Sequence, residues 1–282
     1  MIVFFENGRL GNQLFQYAAL KELYPNHRLV FFGCRDLNQA LHSVDAIIIK
    51  RNSALRWLIY LLERLFFALA SLRIIGTIEE RRDHGSFAIK KVSGAIFSTY
   101  LLKNSFFQNK NIVERIQPHF ALNANHCKKA TEWLNEKVVQ LSDKTFIFVH
   151  IRRADYLTWP NREHPAVLDA QWYIKGMDHF RERVNNPIFL ILTDDPDYAR
   201  KYFGHQPDVL FTEGDKFIDL ALMSLCQNGI LSASSFAWWG AWFSKARSRE
   251  AGIYIAPKYW VGHRTKKWYP EGFATQWITY IE

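Results

Sequence analysis

The chain has 282 residues, 49% of them apolar and 22% charged, with only 14 Gly and 9 Pro, a composition that excludes a disordered, collagen-like or low-complexity polymer. At this length it buries enough surface to fold without disulfide or metal staples, as one large domain or two of ordinary size. Thirty-six Lys and Arg against 27 Asp and Glu leave a formal charge of +9, which favours polyanions, anionic lipid or small phosphorylated ligands.

The chain opens on a short apolar strand, Ile2 to Phe5, with no basic start and no run long enough for a signal peptide. A loop, Gly8-Arg9-Leu10-Gly11-Asn12-Gln13, leads into a helix from about Asn12 to Leu23. Asn12 is either the cap of that helix or a donor to a reacting group, and glycines framing an Arg suit a backbone that approaches a ligand closely. The loop lacks the GxGxxG pattern, and no GxxxxGK[ST] phosphate loop occurs. Strands are expected at Arg28–Phe32 and Asp45–Ile49. Trp57 to Leu72 then reads WLIYLLERLFFALASL between Arg51, Arg56 and Arg73. A spanning helix needs about 20 predominantly apolar residues, and Glu63-Arg64 interrupts this one. The expectation is a buried helix, with a helix lying on an anionic membrane face as the alternative. From Ile74 to Asn125 the pattern is weak.

The second half, from about residue 141, predicts a doubly wound α/β domain. Apolar runs at Phe146–Ile151, Ile188–Leu192, Val209–Phe211, Gly229–Leu231 and Ile253–Ile255 alternate with helical segments at Asp169–Val184, Pro196–Phe203, Phe217–Cys226 and Phe236–Ala246. Continuous apolar runs of this kind mark parallel strands covered on both faces. Polar clusters follow three of them: His150, Arg152, Arg153 and Asp155; Asp194 and Asp195; Ser232, Ser234 and Ser235. Open α/β sheets bind ligands outside the carboxyl ends of their strands, so the three clusters converge on one edge.

A guanidinium matches two phosphate oxygens and stays charged. Alternation of neighbours points one of the two arginines into the site; Arg152 is favoured, leaving Arg153 to pair with Asp155 or Asp169. Ser234 or Ser235 caps the following helix, whose N-terminus is a ready anion site. Asp194 or Asp195 accepts from a ribose hydroxyl or a guanine, or caps the helix at Pro196. Trp238, Trp239 and Trp242 are read as core. Cys34, Cys127 and Cys226 lie far apart, with no zinc-ligand spacing, which points to a reducing cytoplasm. No DxD sits where a metal–diphosphate site would need it, so Arg takes the place of the cation.

These words resemble a known family. GRLGNQLFQYA (Gly8–Ala18), HIRRADY (His150–Tyr156), LTDDPDYA (Leu192–Ala199) and LMSLCQNGILSASSFAWWGAWF (Leu222–Phe243) are similar, in wording, order and spacing, to bacterial α-1,2-fucosyltransferases of glycosyltransferase family 11. The resemblance implies a GT-B architecture, two Rossmann-like halves facing across a cleft: residues 1–140 on the acceptor side and 141–282 holding GDP-β-L-fucose. It implies inverting, metal-independent transfer to a galactose 2-hydroxyl, in an oligosaccharide or a lipid-linked glycan such as an O-antigen repeat. His150 and Arg152 would hold the diphosphate with Arg153 and Asp155 in support. Asp194 or Asp195 would reach the guanosine; Ser234, Ser235 and Phe236 would contact phosphate or base; Asn12, with Gly11 in the GN motif, would lie near the fucose. Glu163, beside His164, is the candidate base, the alternative being a loose path with late proton loss. Two departures stand out: Ala154 where Gly is usual and Ala233 where Asn is usual. Rival readings are a transferase of another GDP-sugar or linkage on the same scaffold, and a basic polyanion- or membrane-surface-binding protein; the latter leaves the three strand-end clusters unexplained, and no nucleic-acid module is present. Location is expected to be cytoplasmic, with peripheral contact at the inner membrane.

Overall fold

The computed structural model describes residues 1–52, 55–83, 86–103, 105–117, 120–138, 143–248 and 252–282. Its residues divide into two compact units, Met1–Ala121 and Leu122–Glu282.

In the first unit β1 (Ile2–Phe5), α1 (Leu10–Leu23), β2 (Leu29–Phe32), α2 (Arg35–Ala40) and β3 (Ile47–Ile49) follow one another. Then come α3 (Arg56–Ser71), β4 (Ile75–Asp83), β5 (Ser86–Val92), β6 (Phe97–Leu102) and the single turn α4 (Lys110–Val113). The described strands form one sheet in the order β3-β2-β1-β6-β4-β5, parallel except for the β4–β5 pair. β1 and β2 are buried throughout, because α1 covers one face and α3 the other. α1 buries residues all round its axis, from Leu10 to Leu20, as a helix with no polar face must. α3 behaves differently from expectation. Only Ile59 and Ala70 are fully buried; a single stripe packs on Val3, Phe5, Val30 and Phe32, and the remainder of this apolar helix faces solvent. The weakly patterned stretch after Ile74 is the hairpin β4–β5 and the strand β6.

The second unit begins with α5 (Ala124–Lys137), which packs on a later helix of its own unit, so the division falls at residues 121–122 rather than near 140. It continues through β7 (Thr145–Ile151), α6 (Ala170–Arg181), β8 (Pro187–Thr193), α7 (Pro196–Phe203) and β9 (Val209–Phe211). α8 (Lys216–Leu225), β10 (Asn228–Ile230), α9 (Ser235–Arg247), β11 (Tyr254–Pro257) and β12 (Thr279–Ile281) complete it. The order is β12-β11-β10-β7-β8-β9, all parallel, the doubly wound domain expected from the alternating pattern. Along β7, Ile147, Val149 and Ile151 face the core formed with Tyr173, Met177 and Phe203 of α6 and α7; the alternate residues face α8 and α9. α9 buries Ala237 through Ser244, including all three tryptophans. A side chain at Gly240 would meet Met223 Sδ at 2.5 Å, so this glycine lets α9 lie close on α8. Trp238 and Trp239 are fully buried, as core rather than as a sugar platform.

Candidate active site

The chain runs from β7 outward to β8 and β9, then returns to place β10 on the opposite side of β7. The winding therefore reverses between β7 and β10, and a reversal of this kind opens a crevice at the carboxyl ends of the two strands. Besides the backbone bond from the Ser232 N–H to the His150 carbonyl, two side-chain hydrogen bonds tie its walls together. His150 Nδ1, at the end of β7, lies 2.8 Å from Ser232 Oγ, just past β10. Tyr156 Oη donates to the Ala233 carbonyl at 2.8 Å. Ala233 thus contributes its backbone carbonyl, and Ala154 does not take a positive φ, so the loop after β7 does not require glycine there. His150 is 7% exposed, and burial pushes its pKa down to about 4, against the pull of the Asp194 carboxylate. The imidazole is neutral at neutral pH and meets a ligand as a hydrogen-bonding group, not as a cation.

The two arginines take different carboxylate partners. Arg152 lies 2.5 Å from Asp155 Oδ1 and 2.6 Å from Asp194 Oδ2. Arg153 Nε donates to Asp195 at 2.9 Å, and its guanidinium lies 3.5 Å from the Tyr198 ring centroid. Arg153 therefore forms a structural pair, but with Asp195; Asp155 is taken by Arg152, and Asp169 lies 3.3 Å from Arg264. Asp194 Oδ1 also accepts from the Arg153 backbone N–H at 2.8 Å, and Asp195 caps α7 by accepting from the Tyr198 N–H. The acids expected to reach the nucleoside thus fix the arginine loop. Two guanidinium groups pair with three carboxylates here, which leaves the cluster with an excess of one negative charge. Asp155 is the most exposed of the three side chains, at 46%, and sits on a short 3-10 turn, Ala154–Leu157.

Across the crevice Ser234 caps α9, its Oγ accepting from the Phe236 N–H at 3.2 Å. Ser235 is the first helical residue, and the Phe236 ring lies 5.7 Å from that of His150. The early N–H groups of a 13-residue helix carry the positive end of its dipole and suit a phosphate. Glu163 occupies an exposed position in the irregular segment between Thr158 and Asp169. Among the described residues, no group of three or more His, Cys, Asp or Glu is placed to hold a metal ion.

The first sheet has its own reversal, between β1 and β6, and Asn12 sits there. α1 starts at Leu10 with Arg9 as its cap, so Asn12 lies inside the first turn and is not the cap. Its Oδ1 accepts from Gln108 Nε2 at 2.8 Å, which turns the donor end of the amide away from Gln108. Gly11 is buried in the helix; the loop glycine is Gly8, with φ of +88°, where a Cβ would fall 2.6 Å from Asn12 Nδ2. Gln13 Nε2 donates to Glu6 at 2.8 Å, tying the helix to the end of β1.

The model of glycosyl transferase family 11 matches residues 86–282, which include the whole second unit. The chain belongs to glycosyltransferase family 11. This family 11 glycosyltransferase is 24% identical to the O-antigen biosynthesis glycosyltransferase WbnK of Escherichia coli, over 92% of this chain and 95% of that one. It is 27% identical to galactoside alpha-(1,2)-fucosyltransferase 1 of Mus musculus, over 84% of this chain and 62% of the mouse protein. Among solved structures it resembles the fucosyltransferase NodZ of Bradyrhizobium, at 14% identity and a TM-score of 0.52, covering 85% of this chain and 91% of that chain; NodZ has also been solved soaked with GDP-fucose. The fold of the family 11 enzyme is accordingly α/β and GT-B-like, with two Rossmann-like units.

Three contributors to the crevice of this glycosyltransferase have partners that the sequence reading does not assign, although Ser232 stands in one of its polar clusters. Ser232 follows β10 and orients His150; Tyr156 closes HIRRADY and joins two loops; Tyr198, within LTDDPDYA, carries Arg153. Each stands inside a motif, which is the signal available, but an aromatic residue in a loop does not name its partner until two loops are brought together.

Proposed function

We propose that this glycosyltransferase moves L-fucose from GDP-β-L-fucose to the 2-hydroxyl of a galactose residue in a glycan, with inversion and without a metal ion. The observation that carries the reading is the crevice between β7 and β10, where Arg152, neutral His150 and the N-terminus of α9 line one edge. The motif resemblance supports fucose and galactose as substrates.

In this reading the second unit holds the donor and the first the acceptor. The β-phosphate takes the place of Asp155 on Arg152 and lies against the first N–H groups of α9, with the Ser235 hydroxyl at its side and His150 donating from Nε2. Phe236 packs on the base. Asp194 and Asp195 hold the arginine loop and keep lone pairs for the guanosine, since each carboxylate has about four acceptor positions. As the bond between fucose C1 and the phosphate oxygen breaks, its electron pair leaves with GDP. Negative charge grows where a fixed cation and a helix dipole already stand, which is electrostatic preorganisation. The acceptor hydroxyl forms the new bond to C1 from the opposite face and releases its proton to Glu163 or, on a loose path, late to solvent. Asn12 presents its amide to the fucose. The lipid-linked form of the acceptor places the reaction at the cytoplasmic face of the inner membrane; three free thiols, Cys34, Cys127 and Cys226, suit that reducing side.

Thermal unfolding with GDP in the presence of EDTA tests the donor site, because a ligand specific for the native state raises stability with the logarithm of its excess. A shift for the parent that Arg152→Ala abolishes supports the site. No shift, or one that needs a divalent ion, overturns the metal-free arginine site. Product analysis with GDP-fucose and galactosides then reads the linkage; fucose on another hydroxyl, or another GDP-sugar consumed in preference, overturns the substrate assignment while leaving the crevice intact.

A further inference from the structure

α3 carries two apolar stripes, and one of them has no described partner. Ile59, Leu62, Phe66, Leu69 and Ala70 turn toward the sheet. Trp57, Leu61, Leu65, Ala68 and Leu72 recur at three- and four-residue intervals on the opposite side, and residues at this spacing share a helix face. Trp57 and Leu72 are 70% exposed, Leu65 50% and Leu61 40%. The exposed surface continues beyond the helix: the Arg73 carbonyl accepts from the Ala95 N–H, and Ile96 and Phe97 follow at 66% and 57% exposure. A packed core or a solvated face explains neither stripe nor extension, and contiguous exposed apolar surface marks an interaction site.

The charges around the stripe are of one sign. Arg51, Arg56, Arg64 and Arg73 are exposed, and none forms an ion pair among the described residues. The acid of the helix, Glu63, lies on the half-buried side. Trp57 and Tyr60 lie at the rim, where amphipathic rings suit a boundary between water and hydrocarbon. Sixteen residues extend about 24 Å, less than the roughly 30 Å of a bilayer core, and no described helix is long and apolar enough to cross a membrane. Pairing with a second copy about a two-fold axis would bring Arg56 of one helix toward Arg73 of the other. A surface of lipid phosphates instead complements every exposed cation.

We propose that α3 lies in the plane of an anionic phospholipid surface, with the Trp57–Leu72 stripe at the headgroup–acyl boundary and Arg51, Arg56, Arg64 and Arg73 on the phosphates. The docking rests on α3 and its neighbouring loop alone, and stands whatever sugar the enzyme transfers.

The test is co-sedimentation of the full chain with vesicles of phosphatidylcholine alone, or of phosphatidylcholine and phosphatidylglycerol in equal parts. The parent pellets with the mixed vesicles, stays in solution with the neutral ones, and is released by salt. Replacing Arg51, Arg56 and Arg73 together by Gln cuts partitioning by about a hundredfold, and Leu61→Gln with Leu65→Gln abolishes it. Brominated lipid quenches the parent's fluorescence more than that of Trp57→Phe. All these positions are exposed, so the thermal midpoint and the GDP shift of each variant match the parent. Equal sedimentation of parent and either multiple variant overturns the proposal, as does a parent that ignores anionic vesicles. A parent dimer that Leu61→Gln with Leu65→Gln converts to monomer, without vesicle binding, assigns the stripe to self-association and overturns it too. Loss of the GDP shift alone counts against the donor site and leaves the docking result unaffected.

Discussion

The guanidinium of Arg153 lies 3.5 Å from the centroid of the Tyr198 ring while its Nε donates to Asp195. One side chain thereby joins the loop after β7 to the first turn of α7, while the neighbouring Arg152 pairs with Asp155 and Asp194 and is the arginine proposed above for the phosphate. Lysine cannot reproduce a planar fork stacked on a ring. Arg153→Lys is expected to lower stability by about 1 to 2 kcal/mol in urea unfolding, combining a lost cation–π contact and a weakened ion pair. It should retain a GDP-induced shift, which Arg152→Ala removes. Equal loss of the shift in both variants would show that the division of roles between the arginines is wrong.

Asp155 competes with the ligand for Arg152. Asp155→Asn removes the competing charge and keeps the side-chain volume, so GDP affinity is expected to rise about fivefold, measured by calorimetry at fixed salt. That corresponds to a surface ion pair of about 1 kcal/mol. A fall in affinity would make Asp155 a support for the arginine rather than an occupant of the phosphate position.

His150 is held neutral by burial, with its pKa down to about 4 from an ordinary 6.5. Between those values the unfolded chain binds a proton that the folded chain does not, so stability falls as pH drops from about 6.5 toward 4 and levels off below. The group accounts for roughly 3 kcal/mol of that loss. Chemical unfolding of the parent and His150→Asn across this range should differ in slope, the variant being flatter; parallel profiles would count against a buried neutral imidazole.

Asp219 works in the opposite sense. In α8 it is buried, and desolvation pushes its pKa up to about 7, opposed by the Thr212 hydroxyl and reinforced by Asp215. From about pH 3.8 to 7 the folded chain keeps a proton that the unfolded chain has released, so this group lowers stability as pH rises through the window. Asp219→Asn is therefore expected to gain stability over the parent between pH 4 and 8, by up to roughly 4 kcal/mol. An unchanged difference at the two pH values would contradict the raised pKa.

Much of the second unit was legible in residue order. Strands at Phe146–Ile151 and Ile188–Leu192 and the helix at Pro196–Phe203 emerge within a residue or so of expectation, because continuous apolar runs broken by Pro, Gly and Ser leave few alternatives. The three polar clusters also emerge at strand ends. Less legible were β4 and β5, an antiparallel pair added to a parallel sheet, whose charged sequence lacks the apolar continuity of a buried strand. α3 was misjudged for a related reason: an apolar composition does not say how much of a helix finds a neighbour, and only one stripe of it does.

The sequence by itself determined which residues are polar at the ends of buried strands, and its motifs determined the family, since both are properties of order along the chain. Only the tertiary structure decided that Arg152 pairs with Asp155 and Asp194 while Arg153 pairs with Asp195, that Asp194 and Asp195 hold the arginine loop, that Asn12 meets Gln108 rather than capping α1, and that His150 is buried. Those outcomes depend on distances between residues tens of positions apart and on how much water each group keeps. Both are set when β10 returns beside β7 and the helices close over the sheet.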